Sequence, residues 1–112
     1  MNRLVPIVLM LLALTSPALA QFPPPGIYVC IDEHGAAFGT LSLFVAGDYD
    51  IASEVIPRGQ GQVTSSGTQV TAQSGPLAEI ALHGFFVTDS YGETEFTFET
   101  SLGGIRCALP QG

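Results

Sequence analysis

Three consecutive residues, Asp32, Glu33 and His34, form the densest cluster of chemically active side chains in the sequence. Two carboxylates and an imidazole could bind a metal ion or carry out general acid–base catalysis. However, adjacent side chains on an extended chain point in alternate directions, so three in a row rarely converge on one ion. Because Gly35 follows, the cluster is predicted to be a solvent-exposed turn. The second histidine, His83, is predicted to be half-buried or in a turn and not to bind a metal.

Other patterns that could support catalysis or ligand binding are incomplete. The sequence contains no Gly-x-Ser-x-Gly nucleophile elbow, and it has no lysine for a Ser-x-x-Lys pair. Gly59-Gln60-Gly61 lacks the following glycine and lysine of a phosphate loop. Asp48-Tyr49-Asp50 lacks the later ligands of a calcium loop, and Asp89 with the nearby glutamates is an equally incomplete cation site. We therefore predict no catalytic residues, no metal ligands and no cofactor.

The elements that carry these residues are predicted to be short strands separated by turns. Residues 93–100 alternate strictly, which is typical of a strand with one wet and one buried face. Leu41, Leu43 and Val45 are predicted to share a buried face, and the segment 76–82 could be either a helical turn or a short strand. The alternating strand places Glu93, Glu95, Thr97 and Glu99 on the wet face and Thr94, Phe96, Phe98 and Thr100 on the buried face. A glycosidase needs carboxyls in an enclosing cleft, and this wet face offers none.

Seven or eight such strands, with turns every eight to twelve residues, predict an all-β fold built as a single small antiparallel meander. We favour an up-and-down barrel over a sandwich because Cys30 and Cys107 lie on the first and last strands, which a barrel brings together. One disulfide between them would close the barrel. A lone cysteine pair without Cys-x-x-Cys spacing is typical of a structural bridge in an oxidising compartment, and intermolecular bridging is the alternative.

The first twenty residues predict a signal peptide. Arg3 provides a positive charge, residues 4–14 form an apolar stretch, and Ala18-Leu19-Ala20 places small residues where signal peptidase cleaves. The apolar stretch is shorter than the ~20 residues that a membrane-spanning helix needs. We predict cleavage after Ala20, no membrane insertion after cleavage, and a periplasmic or secreted location. The predicted organisation is a signal peptide over 1–20, an extended, poorly packed proline-rich arm over 21–25, and a single β domain over 26–112.

The chain that follows residue 20 is strongly acidic. Arg58 and Arg106 are its two cations, and they stand against ten aspartates and glutamates, which leaves eight net negative charges with both histidines neutral. A surface of this sign repels phosphate backbones and anionic lipids, which disfavours nucleic acids and membrane surfaces as partners. The acids are spread along the chain, so solubility is the simplest role for the charge.

The aromatic residues are the remaining candidates for function. Phe85 and Phe86 are neighbours, so one of them faces away from the core of a regular strand, and an exposed aromatic can mark a partner surface. The predicted partner surface comprises Phe85, Phe86 and Tyr91.

We predict a non-enzymatic exported binding module that recognises a protein partner, as an inhibitor or an envelope accessory, because so small a barrel fills its own interior. The alternatives are a carrier of a small apolar ligand, a structural envelope subunit and, least favoured, a small hydrolase using His34 or His83. The oligomeric state stays open.

A set of spaced glycine, tyrosine, leucine and cysteine residues runs through nearly the whole chain after residue 20. The set comprises Gly26-x-Tyr28-x-Cys30, Gly39-Thr40-Leu41-x-Leu43, Gly47-x-Tyr49, Ser74-Gly75-Pro76-Leu77 and Gly104-x-x-Cys107. It resembles small uncharacterised exported proteins of Gram-negative bacteria. The general plan is also similar to small periplasmic β-barrel inhibitors of lysozyme or of metalloproteases, although their reactive segment is not found here. These motifs are turns, core positions and a bridge, so the resemblance implies a fold and not an activity.

Overall fold

Eight antiparallel strands form a closed barrel in the computed structural model, which describes residues 23–110. Each strand pairs with the next one along the chain, and the eighth pairs with the first, so the predicted all-β meander barrel is confirmed and the sandwich is not formed. The predicted signal peptide over 1–20, Gln21 and Phe22 lie outside the described residues. The strands are β1 (Gly26–Asp32), β2 (Ala37–Leu43), β3 (Asp48–Ser53), β4 (Gly59–Ser66), β5 (Gln69–Ala72), β6 (His83–Thr88), β7 (Thr94–Thr100) and β8 (Gly103–Ala108).

The seam of the barrel, between β1 and β8, carries the disulfide. Cys30 lies directly opposite Cys107 in the register of these strands, with their Cα atoms 4.0 Å apart, and the two sulfurs are bonded. Both cysteines are buried. The predicted intramolecular bridge is therefore confirmed, and it joins the two strands that would be the edges of an open sheet.

Aromatic rings fill the interior of the barrel around Phe96. The ring of Tyr28 meets Phe96 edge-on at 4.9 Å between centroids, Phe98 stacks on it at 5.2 Å, and Phe86 contacts it at 5.6 Å. Strict alternation along β7 produces this arrangement, since Phe96 and Phe98 point inward while Glu95, Thr97 and Glu99 point outward. The predicted wet and buried faces of this strand are confirmed. Eight strands enclose a space that side chains can fill, and here they do so.

The connection between β2 and β3 corrects one prediction. Leu41 and Leu43 are buried as predicted, but Val45 is 74% exposed. The strand ends at Leu43, and a short 3₁₀ turn over Val45–Gly47 breaks the alternation before it reaches Val45. Gly47 is required in this turn because its φ is +91°, and a Cβ there would collide with the carbonyl oxygen of Val63.

The segment that the sequence left open contains a single helical turn, α1 (Pro76–Glu79), in the connection between β5 and β6. Pro76 suits the first helical position because its φ is fixed and it has no N–H to satisfy. Leu77 turns inward and is buried. No helix within residues 23–110 is long and apolar enough to cross a membrane.

The meander places its connections alternately at two ends of the barrel. The β1–β2, β3–β4, β5–β6 and β7–β8 connections lie at one end, here called the α1 end. The other three connections, the start of β1 and the end of β8 lie at the opposite end, here called the termini end. There the hydroxyl of Tyr28 donates a hydrogen bond of 2.7 Å to the carbonyl of Pro24, and Pro23 is buried. Of the three prolines of the predicted arm, Pro23 is thus buried, Pro24 is half-buried and Pro25 is exposed.

Candidate functional site

The Asp32 cluster forms the turn between β1 and β2, as predicted. Oδ1 of Asp32 accepts hydrogen bonds of 2.9 Å from the backbone N–H groups of His34 and Ala36. These bonds, that from Ala36 first, hold the pKa of the Asp32 carboxyl below its ordinary value. The side chains of Glu33 and His34 are largely exposed, with Oε2 and Nε2 3.9 Å apart. The carboxylate of Asp32 is thus occupied in shaping its own turn.

A second turn of the same construction joins β6 to β7 at the termini end. Oδ1 of Asp89 accepts hydrogen bonds from the N–H groups of Tyr91, at 2.9 Å, and Glu93, at 3.0 Å. Gly92 has a φ of +84°, the same value as Gly35 in the first turn. An aspartate followed three residues later by a glycine therefore builds both turns. Tyr91 is therefore an exposed side chain on a turn whose backbone is held by hydrogen bonds.

The second histidine, His83, is the first residue of β6 and is exposed. Its Nδ1 lies 3.0 Å from the carbonyl oxygen of Ala81, and its register partner on β7 is Glu99. Across residues 23–110, no group of three or more histidine, cysteine, aspartate or glutamate side chains is arranged to hold a metal ion.

The predicted aromatic surface divides between the inside and the outside of the barrel. Phe86 is 7% exposed and packs on Phe96, so its assignment to a partner surface is wrong. The reason is the two-residue alternation of β6, which sends one of the two neighbouring phenylalanines inward. Phe85 is 45% exposed, and Tyr91 is 88% exposed.

One outward residue that sequence reasoning missed is Val87, which is 57% exposed and lies two positions beyond Phe85 on β6. Residues two positions apart on a strand share a face, so Val87 must be exposed once Phe85 is known to point outward. Glutamates on the neighbouring strand accompany this apolar pair. Val87 lies opposite Glu95, and Phe85 lies opposite Thr97. We call this surface the β6–β7 face, and it consists of His83, Phe85, Val87, Tyr91, Glu93, Glu95, Thr97 and Glu99.

Two shallow depressions flank the β6–β7 face. One, of about 310 Å³, lies on the β5 side and is lined in part by Gln69, Thr71, His83, Phe85 and Glu99. The other, of about 370 Å³, lies towards β8 and is lined in part by Val87, Asp89, Glu93, Glu95 and Leu109. Both combine apolar side chains with carboxylates, so the face has concave regions at its sides as well as negative charge.

The negative charge of the face is only partly compensated. Nη1 of Arg106, on β8, lies 3.8 Å from Oε2 of Glu95, and both side chains are more than half exposed. An ion pair with this exposure is worth little, because water screens it and both side chains lose conformational freedom. Among the described residues, Glu93 and Glu99 form no ion pair.

The fold and the face together define a disulfide-closed, eight-stranded β-barrel with an aromatic-filled interior and an acidic, partly apolar outer surface. Comparison with known proteins finds no match to a family model, a curated protein or a solved structure. The resemblance to small exported proteins therefore stays a prediction. The single disulfide is compatible with folding in an oxidising compartment outside the cytoplasm.

Proposed function

We propose that this protein is a non-enzymatic, exported binding module that recognises a protein partner through the β6–β7 face. The observation that carries the proposal is the exposure of Phe85 and Val87, which follow each other along the outer face of β6. Since the aromatic core fills the interior, the filled barrel favours recognition on the outer wall over an enclosed apolar ligand. Periplasmic or secreted location and cleavage after Ala20 belong to the same proposal.

Rigidity supports this assignment. Phe85 is paired with both β5 and β7, Val87 is paired with β7, and Tyr91 lies in a turn that Asp89 holds with two hydrogen bonds. A surface that is already ordered loses little conformational entropy on binding. Aromatic side chains are also the residues that most often anchor protein interfaces.

The mode of recognition follows from the closed sheet. Every described strand is paired on both sides over part of its length, so the barrel leaves only short unpaired stretches, such as Val87 and Thr88 on the side of β5, to which an extended partner could add a strand. Binding through this surface therefore depends on outward side chains. Phe85, Val87 and Tyr91 would provide the apolar contacts and the glutamates of β7 the polar rim.

Site-specific photocrosslinking in the native organism tests the proposal. A photoreactive phenylalanine analogue would replace Phe85 in one variant and Tyr91 in another, and the matched control would carry it at Ser42. Ser42 points outward from β2, four strands from β6 in either direction around the barrel. We expect a discrete protein adduct from positions 85 and 91 and none from position 42. Equal adducts from all three positions, or none from any, would overturn the proposal.

A further inference from the structure

We infer that the partner of the β6–β7 face is a cationic protein segment, one that presents lysine or arginine side chains next to apolar ones. This inference rests on the proposed function and adds the chemistry of the partner. It starts from the arrangement of two neighbouring columns on the outer wall. Phe85 and Val87 form the apolar column on β6. Glu95 and Glu99 on β7, together with Glu93 directly before that strand, form the acidic column.

The spacing of these columns sets what can bind to them. Directly opposed residues on antiparallel strands have Cβ atoms roughly 4.5–5.5 Å apart, and Val87 and Glu95 are such a pair. An apolar side chain of a partner that contacts Val87 therefore brings the nearest side chain on the same face of the partner close to the carboxylate of Glu95. A lysine or arginine at that neighbouring position would meet a favourable charge, and an acidic residue would be repelled.

The charges around the face strengthen this preference. Arg106 is the one cationic side chain that reaches the acidic column within residues 23–110, and it pairs with Glu95 alone. Glu93 and Glu99 are left to attract external cations. The turn residue Asp89 adds a further carboxylate beside Val87 in the depression towards β8.

Other occupants of the face fit less well. A second copy of this chain would bring acidic columns together, and its own net charge of −7 would oppose association. Nucleic acids and anionic membranes carry the same sign and are repelled for the same reason. A partner that presents apolar and basic side chains on one and the same face matches both columns at once.

Peptide titration followed by NMR tests the inference. The ¹⁵N-labelled, disulfide-bonded protein would be titrated with three short synthetic peptides of equal length, built from repeats of Leu-Ser-Lys-Ser (lysine–leucine), Leu-Ser-Glu-Ser (glutamate–leucine) or Ser-Ser-Lys-Ser (lysine–serine), so that the varied residues share one face of an extended chain. We expect the lysine–leucine peptide to shift the amide signals of β6 and β7 and to bind more tightly than the other two. Equal affinity for the glutamate–leucine or the lysine–serine peptide would overturn the inference, as would shifts confined to other strands.

A pair of charge-matched variants separates local recognition from overall charge. The face variant is Glu93→Gln, Glu95→Gln and Glu99→Gln; the control is Asp50→Asn, Glu54→Gln and Glu79→Gln, which removes the same charge elsewhere. Each exposed ion pair contributes roughly a factor of two, so we expect the face variant to weaken binding about tenfold and the control much less. Equal weakening in both variants would overturn the inference.

A photocrosslink from position 85 to an acidic partner would overturn the inference while the proposed function stands. Absence of any crosslink would instead remove the proposed function itself.

Discussion

Tyr49, on β3, and Leu77, on α1, are joined by a hydrogen bond across 28 positions of the chain. The N–H of Leu77 donates to the Tyr49 hydroxyl at 3.0 Å, and that hydroxyl donates in turn to the carbonyl of Ser74 at 2.7 Å. One phenol thus satisfies a donor and an acceptor of the β5–β6 connection. Gly61 and Gly75 permit this approach, since a Cβ on either would collide with the hydroxyl. The tyrosine fastens α1 to the end of the barrel.

Replacing Tyr49 with phenylalanine should destabilise the protein by about 1–3 kcal/mol. The substitution keeps the ring in the core but leaves the N–H of Leu77 and the carbonyl of Ser74 without their partner, and an unsatisfied buried group carries most of the desolvation penalty. The free energy of unfolding in urea measures the effect. Tyr91→Phe is the matched control, because the Tyr91 side chain is 88% exposed and its hydroxyl should contribute almost nothing. Equal stability of the two variants would show that the hydrogen bonds of Tyr49 make no net contribution to the free energy of unfolding.

Stability should fall at alkaline pH because of two buried tyrosines. Burial is the larger influence on both Tyr28 and Tyr49, and it raises the pKa of each phenol above its ordinary value near 10. The folded protein therefore retains protons that the unfolded chain loses once the pH exceeds about 10. The stabilising contribution is complete below that pH and is lost as the pH rises through the folded-state pKa values.

Urea unfolding at a series of pH values from about 8 to about 11 measures this loss. The expected result is a nearly level free energy of unfolding up to pH ~10 and a decline beyond it. The decline should be smaller in a Tyr28→Phe and Tyr49→Phe double variant and unchanged in Tyr91→Phe. A free energy that rises above pH ~10 would contradict the assigned direction of both pKa shifts.

Much of the fold was predictable because it depends on local patterns. The alternation of residues 93–100 fixes both faces of β7, and the positions of Cys30 and Cys107 on the first and last predicted strands predict a closed seam. Aspartate and glycine three residues apart predict the turn at 32–35 with equal success. Each of these features is determined by residues close together in sequence or by one covalent bond.

The candidate site was less predictable because the inward or outward direction of each β6 side chain depends on the register of β6 against β7. In β6, Phe85 and Phe86 are both apolar, so the sequence alone does not say which one points inward. Pairing with β7 decides the matter, since Phe86 lies opposite the buried Phe96. The hydrogen bonds of the Tyr28 and Tyr49 hydroxyls could not be found either, because their partners are backbone groups, which every residue type provides.

Removal of the disulfide should cost much of the net stability. A Cys30→Ala and Cys107→Ala double variant opens a link across 77 positions, and the chain-entropy model gives a loss of roughly 4–5 kcal/mol for a loop of this length. Small domains have about 5–15 kcal/mol in total, so the variant should unfold at a much lower temperature. Circular dichroism during heating measures the shift. An unchanged midpoint would mean that the β1–β8 hydrogen bonds alone close the barrel.

The neighbours Phe85 and Phe86 provide the sharpest comparison between stability and recognition. Phe86→Ala removes a buried ring from its contact with Phe96 and should destabilise the protein by about 3–5 kcal/mol. Phe85→Ala removes a half-exposed ring and should cost less than about 1 kcal/mol. If the β6–β7 face binds a partner, only the Phe85 variant should fold normally and yet lose binding, by tenfold or more for a central aromatic anchor. Urea unfolding and titration with the crosslinked partner would give the two values. A Phe85 variant that is as unstable as the Phe86 variant would place Phe85 in the core and remove the apolar column from the face.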